Sequence, residues 1–297
     1  MPYTAKIKYN ENIIATLQEN EDVELDCAGT VMGDNIEVTV EPPSISNVFN
    51  DNSWDIIKQV VTEGTASSYW KVGDRKEVKL NGTVGIKTFS NTTTYCYILG
   101  FDHNTSRESN GEHTIHIGFG ASALSGGAYI AYCDSSYGTK VSTSCFNMNT
   151  SGTNDGGWNS CQMKSTICPA FKNALPSDLQ SNIRAVTKWQ NNGNTTTNQS
   201  SSNEIWLLSE KEIFGSAAQS GYTANQLQYD FYKGVTGWSA APKIKYKDTS
   251  TSEAVAWWER SAYSSNSSYF CRVTSVDGTA DYGYAHYSSG FAPCLCL

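Results

Sequence analysis

Over residues 5–41 apolar and polar positions alternate in short runs: Lys6-Ile7-Lys8-Tyr9, Ile13 to Leu17, Val23-Glu24-Leu25-Asp26-Cys27 and Ile36-Glu37-Val38-Thr39-Val40. Turn-forming residues separate the runs at Asn10 to Asn12, Glu19 to Asp22 and Gly33 to Asn35. A period of two with such breaks predicts a meander of half-buried strands. Glu41-Pro42-Pro43-Ser44 then stops helix and ladder alike, because proline has no N–H and fixes φ. A small β module over 1–42 and a larger unit over 43–297 are therefore expected.

The larger unit mixes periods. In "SWDIIKQVVTEG", Trp54, Ile57, Val60 and Val61 recur at helical spacing, Ser53 can cap the start and Gly64 the end. "YWKVGDRKEVKLNG" reads as strand and hairpin, "TYCYILGFDH" (94–103) as an apolar strand, and "TIHIGF" (114–119) as an alternating one with His116 on its polar side. Residues 120–156 read as ordered loop. "GGWNSCQMKSTICPAF" predicts a helix turning Trp158, Cys161, Ile167 and Cys168 inward, and "LPSDLQSNI" a helix with Pro176 at its start and Asp178 in its first turn. "IRAVTKWQ" and "EIWLLS" read as strands, and "SEKEIFG" (209–215) as a capped helical turn. "NNGNTTTNQSSSN" (191–203) reads as a polar loop. "KIKYK" (243–247) suggests an edge strand showing Lys243, Lys245 and Lys247 to solvent. Short strands, two or three helices and long loops together predict an α+β fold.

Composition changes the picture at one place. Residues 261–290, "SAYSSNSSYFCRVTSVDGTADYGYAHYSSG", hold eight Ser and five Tyr and no Lys, Glu, Gln, Leu, Ile or Met. Tyrosine offers a large, stiff, amphipathic contact with two torsions to freeze, and Ser, Gly and Asn add adaptable hydrogen bonds. Hot spots of binding surfaces favour aromatics and Arg, and interfaces are depleted in Lys. The candidate contact set is Tyr263, Ser264, Ser265, Asn266, Ser268, Tyr269, Arg272, Tyr282, Tyr284, His286, Tyr287 and Ser288. Trp257, Trp258, Arg260, Phe270 and Val273 read as the frame that carries it.

Charge and motifs narrow the function classes. A net charge of −8 argues against a nucleic-acid partner. No apolar run is long enough for a membrane span, and "MPYTAKIKYNENIIATL" lacks the basic and apolar regions of a secretory signal. Nine cysteines without C-x-x-C, and without a sign of export, are expected as buried thiols. No G-x-S-x-G, zinc spacing, EF-hand loop or phosphate-binding glycine pattern occurs, so no catalytic residue, metal or cofactor is assigned. Cys294 and Cys296 share a core-facing side if "PCLCL" is a strand. Glu253 and Glu259 are the glutamates nearest the aromatic-rich end.

"GGWNSCQM", "LPSDLQSNIRAVTKW", "IWLLSEKEIFG" and "WWERSAYSSNSSYFCRVTSVDG" with "GFAPCLCL" resemble a domain family of gut Firmicutes and their phages, over about 54–297. That end is similar to the C-type-lectin-like fold of the formylglycine-generating-enzyme type, which also carries the variable proteins of diversity-generating retroelements. The N-terminal strands resemble small β modules of phage tail and baseplate proteins. The resemblance implies a C-type-lectin-like domain behind a virion-attachment module. It implies a diversified face toward a bacterial surface protein or glycan, other tail proteins as partners, a homotrimer, and a place at the tail tip. Ser, Tyr, Asp, His, Gly, Ala and Thr over 262–269 and 280–289 are what adenine-directed mutagenesis of Asn-type codons yields. The calcium-lectin signatures are absent, and Ala262 and Cys294 depart from the family pattern. A formylglycine-generating oxidoreductase and a bacterial surface adhesin are the alternatives.

Overall fold

The computed structural model describes residues 4–9, 12–17, 36–41, 44–121, 128–235 and 242–297. The first strands are β1 (Thr4–Tyr9), β2 (Asn12–Leu17) and β3 (Ile36–Glu41). They form an antiparallel sheet of order β2-β1-β3. The strand expected at Val23 to Cys27 lies outside the described residues.

The larger unit runs α1 (Trp54–Thr62), α2 (Ala66–Tyr69), β4 (Arg75–Val84), β5 (Lys87–Phe101), α3 (Thr105–Glu108), β6 (Ile115–Ala121) and β7 (Ile130–Ala131). It continues α4 (Gly157–Ser160), α5 (Cys168–Asn173), α6 (Ser177–Asn182), β8 (Val186–Asn191), β9 (Asn198–Asn203), β10 (Ile205–Trp206) and α7 (Glu210–Phe214). It ends β11 (Lys245–Lys247), β12 (Ser250–Val255), β13 (Trp257–Ala262), β14 (Tyr269–Val273), β15 (Ala280–Tyr284) and β16 (Cys294–Cys296). The fold is α+β. A five-stranded sheet of order β10-β16-β6-β5-β4 forms its middle, and a three-stranded sheet of order β13-β14-β15 carries the Ser/Tyr-rich end. No described helix is long and apolar enough to cross a membrane.

Local rules account for several elements. The Ser53 hydroxyl accepts from the Ile56 N–H at the start of α1, whose Trp54, Ile57, Val60 and Val61 are buried. Ser209 and Glu212 close a capping box on α7, and Gly215 ends that helix at φ +73°. Trp158, Cys161, Ile167 and Cys168 all face the core, through a π-helical turn at Met163–Ile167. The C-terminal strand β16 inserts between β10 and β6, so Cys294 and Cys296 lie in the core of the larger unit.

Three further expectations are corrected. The polar stretch 198–203 is a strand: β9 pairs with β8 from Val186↔Asn203 to Asn191↔Asn198. The backbone supplies that ladder, and buried Asn203 accepts the Trp158 indole N–H at 2.8 Å. The lysine strand is not an edge, because β11 is the middle of the sheet β12-β11-β7. Lys245 is buried and donates to the Tyr97 hydroxyl at 3.0 Å, with the Trp257 ring 5.0 Å away. Burial pushes its ammonium down to about 7. Strand β6 is buried along its whole length, so His116 has no solvent side.

Candidate functional site

The face begins where β13 stops. A turn over 263–268 returns the chain into β14, and β15 pairs beside it with Tyr269↔Tyr284 and Cys271↔Tyr282 in register. Residues opposite each other in an antiparallel pair share a face, so Tyr269, Tyr282 and Tyr284 lie on one side. Their rings touch: Tyr269 is 5.2 Å from Tyr282 and 4.5 Å from Tyr284. Tyr263 stacks on Tyr282 at 4.3 Å, and Tyr284 contacts His286 at 5.5 Å and Tyr287 at 5.6 Å. Six rings thus form one continuous array. Tyr282 and Tyr284 are the most open, at 38% and 45% exposure.

The backbone under this array is tied down on several sides. The Asn154 amide donates to the carbonyls of Tyr263, Asn266 and Tyr269 at 3.0, 3.1 and 2.7 Å. Asn191 receives the Ala262 N–H at 3.1 Å and donates to its carbonyl at 2.8 Å. Asn266 accepts from the Ser268 N–H at 2.8 Å, an Asx turn that sets the tip. The Ser264 hydroxyl donates to the Gln219 carbonyl at 2.9 Å. Segment 286–288 pairs with 137–141, with Gly138 N–H to Ser288 O at 2.9 Å and Val141 N–H to His286 O at 2.8 Å. These bonds remove loop freedom before any ligand arrives, which is what a pre-organised surface requires.

A groove of about 430 Å³ opens along the array, lined among others by Tyr137, Tyr269, Arg272, Tyr282, Tyr284 and Tyr287. Arg272 donates to Asp281 at 2.8 Å, so the pair adds hydrogen-bonding capacity without net charge. A Cβ at Gly283 would sit 3.0 Å from both the Arg272 guanidinium and the Trp258 ring, so any larger residue there would press on both. Burial, with Lys140 nearby, lowers the His286 imidazole and keeps it neutral near pH 7.

The expected contact residues fall into three groups. Tyr263, Tyr269, Tyr282, Tyr284, His286, Tyr287 and Arg272 come together on the array or its groove. Ser264, Ser265, Asn266 and Ser268 form the adjoining tip, with Ser265 and Asn266 exposed. Ser288 lies below the surface: it is 2% exposed and donates to Asp134 at 2.9 Å. That buried bond makes it a brace under the face rather than part of its open surface. Trp257, Trp258, Arg260, Phe270 and Val273 are all fully buried. Sequence reasoning missed Tyr137, Asn154 and Asn191. Asn154 lies more than a hundred positions before the carbonyls it holds, so no local signal could have found it.

Behind the face, the side chain of Arg260 enters a buried ion network. It grips both oxygens of Glu212, with Nη2 to Oε1 at 2.9 Å, and donates to the Leu207 carbonyl at 2.9 Å. Lys188 bridges Glu212 at 3.0 Å and Glu108 at 2.6 Å and donates to the Tyr229 hydroxyl at 3.1 Å. Tyr229 reaches His116 at 2.7 Å and stacks on His103 at 3.7 Å. Burial, with Lys188 nearby, pushes the His103 imidazole down to about 3 and His116 well below its usual value. His103, Glu108 and Glu212 have metal-binding atoms in one cluster. Lys188 and Arg260 already balance both carboxylates, so that cluster is an ion network and not a metal centre.

A larger groove, about 550 Å³, runs past α5 and β9–β10. Its cysteine, Cys168, is 2% exposed, and burial holds the thiol protonated. A family model for a domain of unknown function (DUF6273) matches residues 138–297. No curated protein and no solved structure matches the chain. The matched region contains the whole aromatic array, while its last strand sits in a sheet completed by β4, β5 and β6.

Proposed function

The chain belongs to the DUF6273 family, and on that premise we propose that it is a receptor-binding protein of a phage or prophage tail. The tyrosine face is the surface that meets a bacterial cell-surface protein or glycan. One observation carries this reading: six aromatic rings form a continuous, part-exposed array on a backbone that side chains hold from beneath. Rigid, amphipathic rings bind at low entropic cost, and a neutral groove suits a polar, uncharged ligand surface. The motif resemblance supplies the C-type-lectin-like reading of the domain, the diversified character of the face and the tail setting.

The thiols favour binding over the oxidoreductase alternative. All eight described cysteines are buried and unpaired. Burial pushes Cys96, Cys133, Cys161, Cys294 and Cys296 up to about 12, far from the thiolate that such chemistry requires.

The test uses the fluorescently labelled full chain on intact cells of gut Firmicutes. Saturable binding is expected, and a Tyr263→Ala/Tyr282→Ala/Tyr284→Ala variant with an unchanged circular dichroism spectrum should lose it. Equal binding by that variant would contradict the proposal.

A further inference from the structure

A second carboxylate cluster lies on the same strand as Arg260, and it is built differently. Glu210 opens α7, Glu259 sits in the middle of β13 and Cys271 in the middle of β14. All three are buried, and their donor atoms lie within 4.8 Å of one another. Glu210 accepts from the Gln219 and Ser220 N–H groups at 2.8 and 2.7 Å, which leaves lone pairs on both oxygens. Glu259 is different again. It is 0% exposed, and neither of its oxygens has a hydrogen-bond partner. Arg260, its neighbour in the strand, is committed to Glu212. Among the described residues no Lys, Arg or His bonds this cluster.

An unpartnered buried carboxylate is costly. The Lys188 network avoids that cost with two cations, and the Glu210 cluster has none. We propose that Glu210, Glu259 and Cys271 bind one divalent transition-metal ion, with zinc the best match. The donor chemistry selects the ion. A thiol beside carboxylates disfavours calcium and magnesium, which take oxygen ligands, and suits zinc, which accepts sulfur and oxygen together. Glu259 chelating through its two oxygens, one oxygen of Glu210 and the Cys271 sulfur supply three ligands. Donors from different residues sit roughly 3.3–3.8 Å apart around a tetrahedral zinc, so the glutamate ends, whose donor atoms lie within 4.8 Å of the sulfur and of each other, would draw inward, with the two Glu259 oxygens sharing one vertex. The competing occupant is a proton. Burial pushes the Glu259 carboxyl and the Cys271 thiol well above their usual ranges. Protonation removes the charge but leaves the O–H and C=O without partners, whereas an ion satisfies both oxygens.

The ion would tie α7, β13 and β14 together next to the face. Cys271 is the cross-strand partner of Tyr282, and Glu259 precedes Tyr263 by four positions. The three ligands are too far apart along the chain for any zinc spacing to reveal them. This site stands apart from the receptor-binding reading, and neither needs the other.

The full chain, stripped with a chelator, is titrated with zinc alone against a chromophoric chelator, and with cobalt as a spectroscopic probe. One ion per chain is expected, with a thiolate-to-cobalt absorption band and a raised melting temperature. Cys271→Ser should abolish the band. Glu259→Gln, close to isosteric, should weaken zinc binding beyond the roughly 10–100-fold that loss of an outer-shell partner costs. Failure to bind one ion per chain would overturn the proposal. So would undiminished binding in both variants, which would place the ion on other thiols. A Glu259→Gln chain that melts higher, in a protein that zinc does not stabilise, would assign the cluster to a protonated acid instead.

Discussion

Strand β13 joins two polar regions that obey opposite rules. At Arg260 it enters a network of four charges, Arg260, Lys188, Glu212 and Glu108, in which every ion touches a counter-ion and nothing reaches solvent. Three positions later, at Tyr263, it begins a surface of neutral rings whose backbone is held but whose outer faces are uncommitted. In the first region each side chain helps its neighbours to stay charged. In the second, each ring touches others, yet no buried polar group depends on it. The difference separates what must be kept for folding from what can change without cost to it.

Removing one ion should break the first region outright. Arg260→Leu strands one side of Glu212 in the core, and a cost of about 3–5 kcal/mol is expected in denaturant unfolding. The same variant has a pH signature. Burial acts to raise the Glu212 carboxyl, but Arg260 and Lys188 together outweigh it and hold the group below its usual range. A lowered carboxyl contributes stability that is fully present above its unfolded value of about 4.3 and is lost as pH falls below that value. The stability gap between wild type and Arg260→Leu should therefore shrink below about pH 4.

The link between the regions comes next in size. Asn154→Ala removes a donor shared by three loop carbonyls, of which Tyr269 and Asn266 keep a backbone N–H, and about 1–3 kcal/mol of destabilisation is expected. Because that amide sets the loop, cell binding should weaken too. Tyr282→Ala with Tyr284→Ala should sharpen the contrast: about 30-fold weaker cell binding or more, with stability changed by less than about 1 kcal/mol. The smallest effect is expected for Asp281→Asn. The Arg272–Asp281 pair is about one-third exposed, so its loss should cost at most about 1 kcal/mol, less in high salt.

Much of the frame was legible because it follows local rules. The helical spacing of Trp54, Ile57, Val60 and Val61 marked α1, and Ser209 with Glu212 announced the capping box of α7. The Ser/Tyr-rich composition marked the face before any contact was known. What stayed hidden depends on tertiary surroundings. β9 is a strand because β8 offers it a backbone partner, and its Ser and Asn side chains carry no period to read. Lys245 obeyed the alternation of an edge strand, but rings from β5 and β13 flank its buried ammonium. His116 looked like a polar-side residue until Tyr229, far along the chain, supplied its partner. Glu259 looked like an ordinary acid in a strand, and only its burial without a partner sets it apart.

The central claim is that the frame is fixed while the face is free to change. Sequencing the 3′ end of the gene across a natural population tests it most directly. The account predicts substitutions concentrated at exposed or half-exposed positions of 263–287, with Trp257, Trp258, Arg260 and Phe270 invariant. Substitutions spread evenly along the chain, or an invariant 263–287, would contradict it.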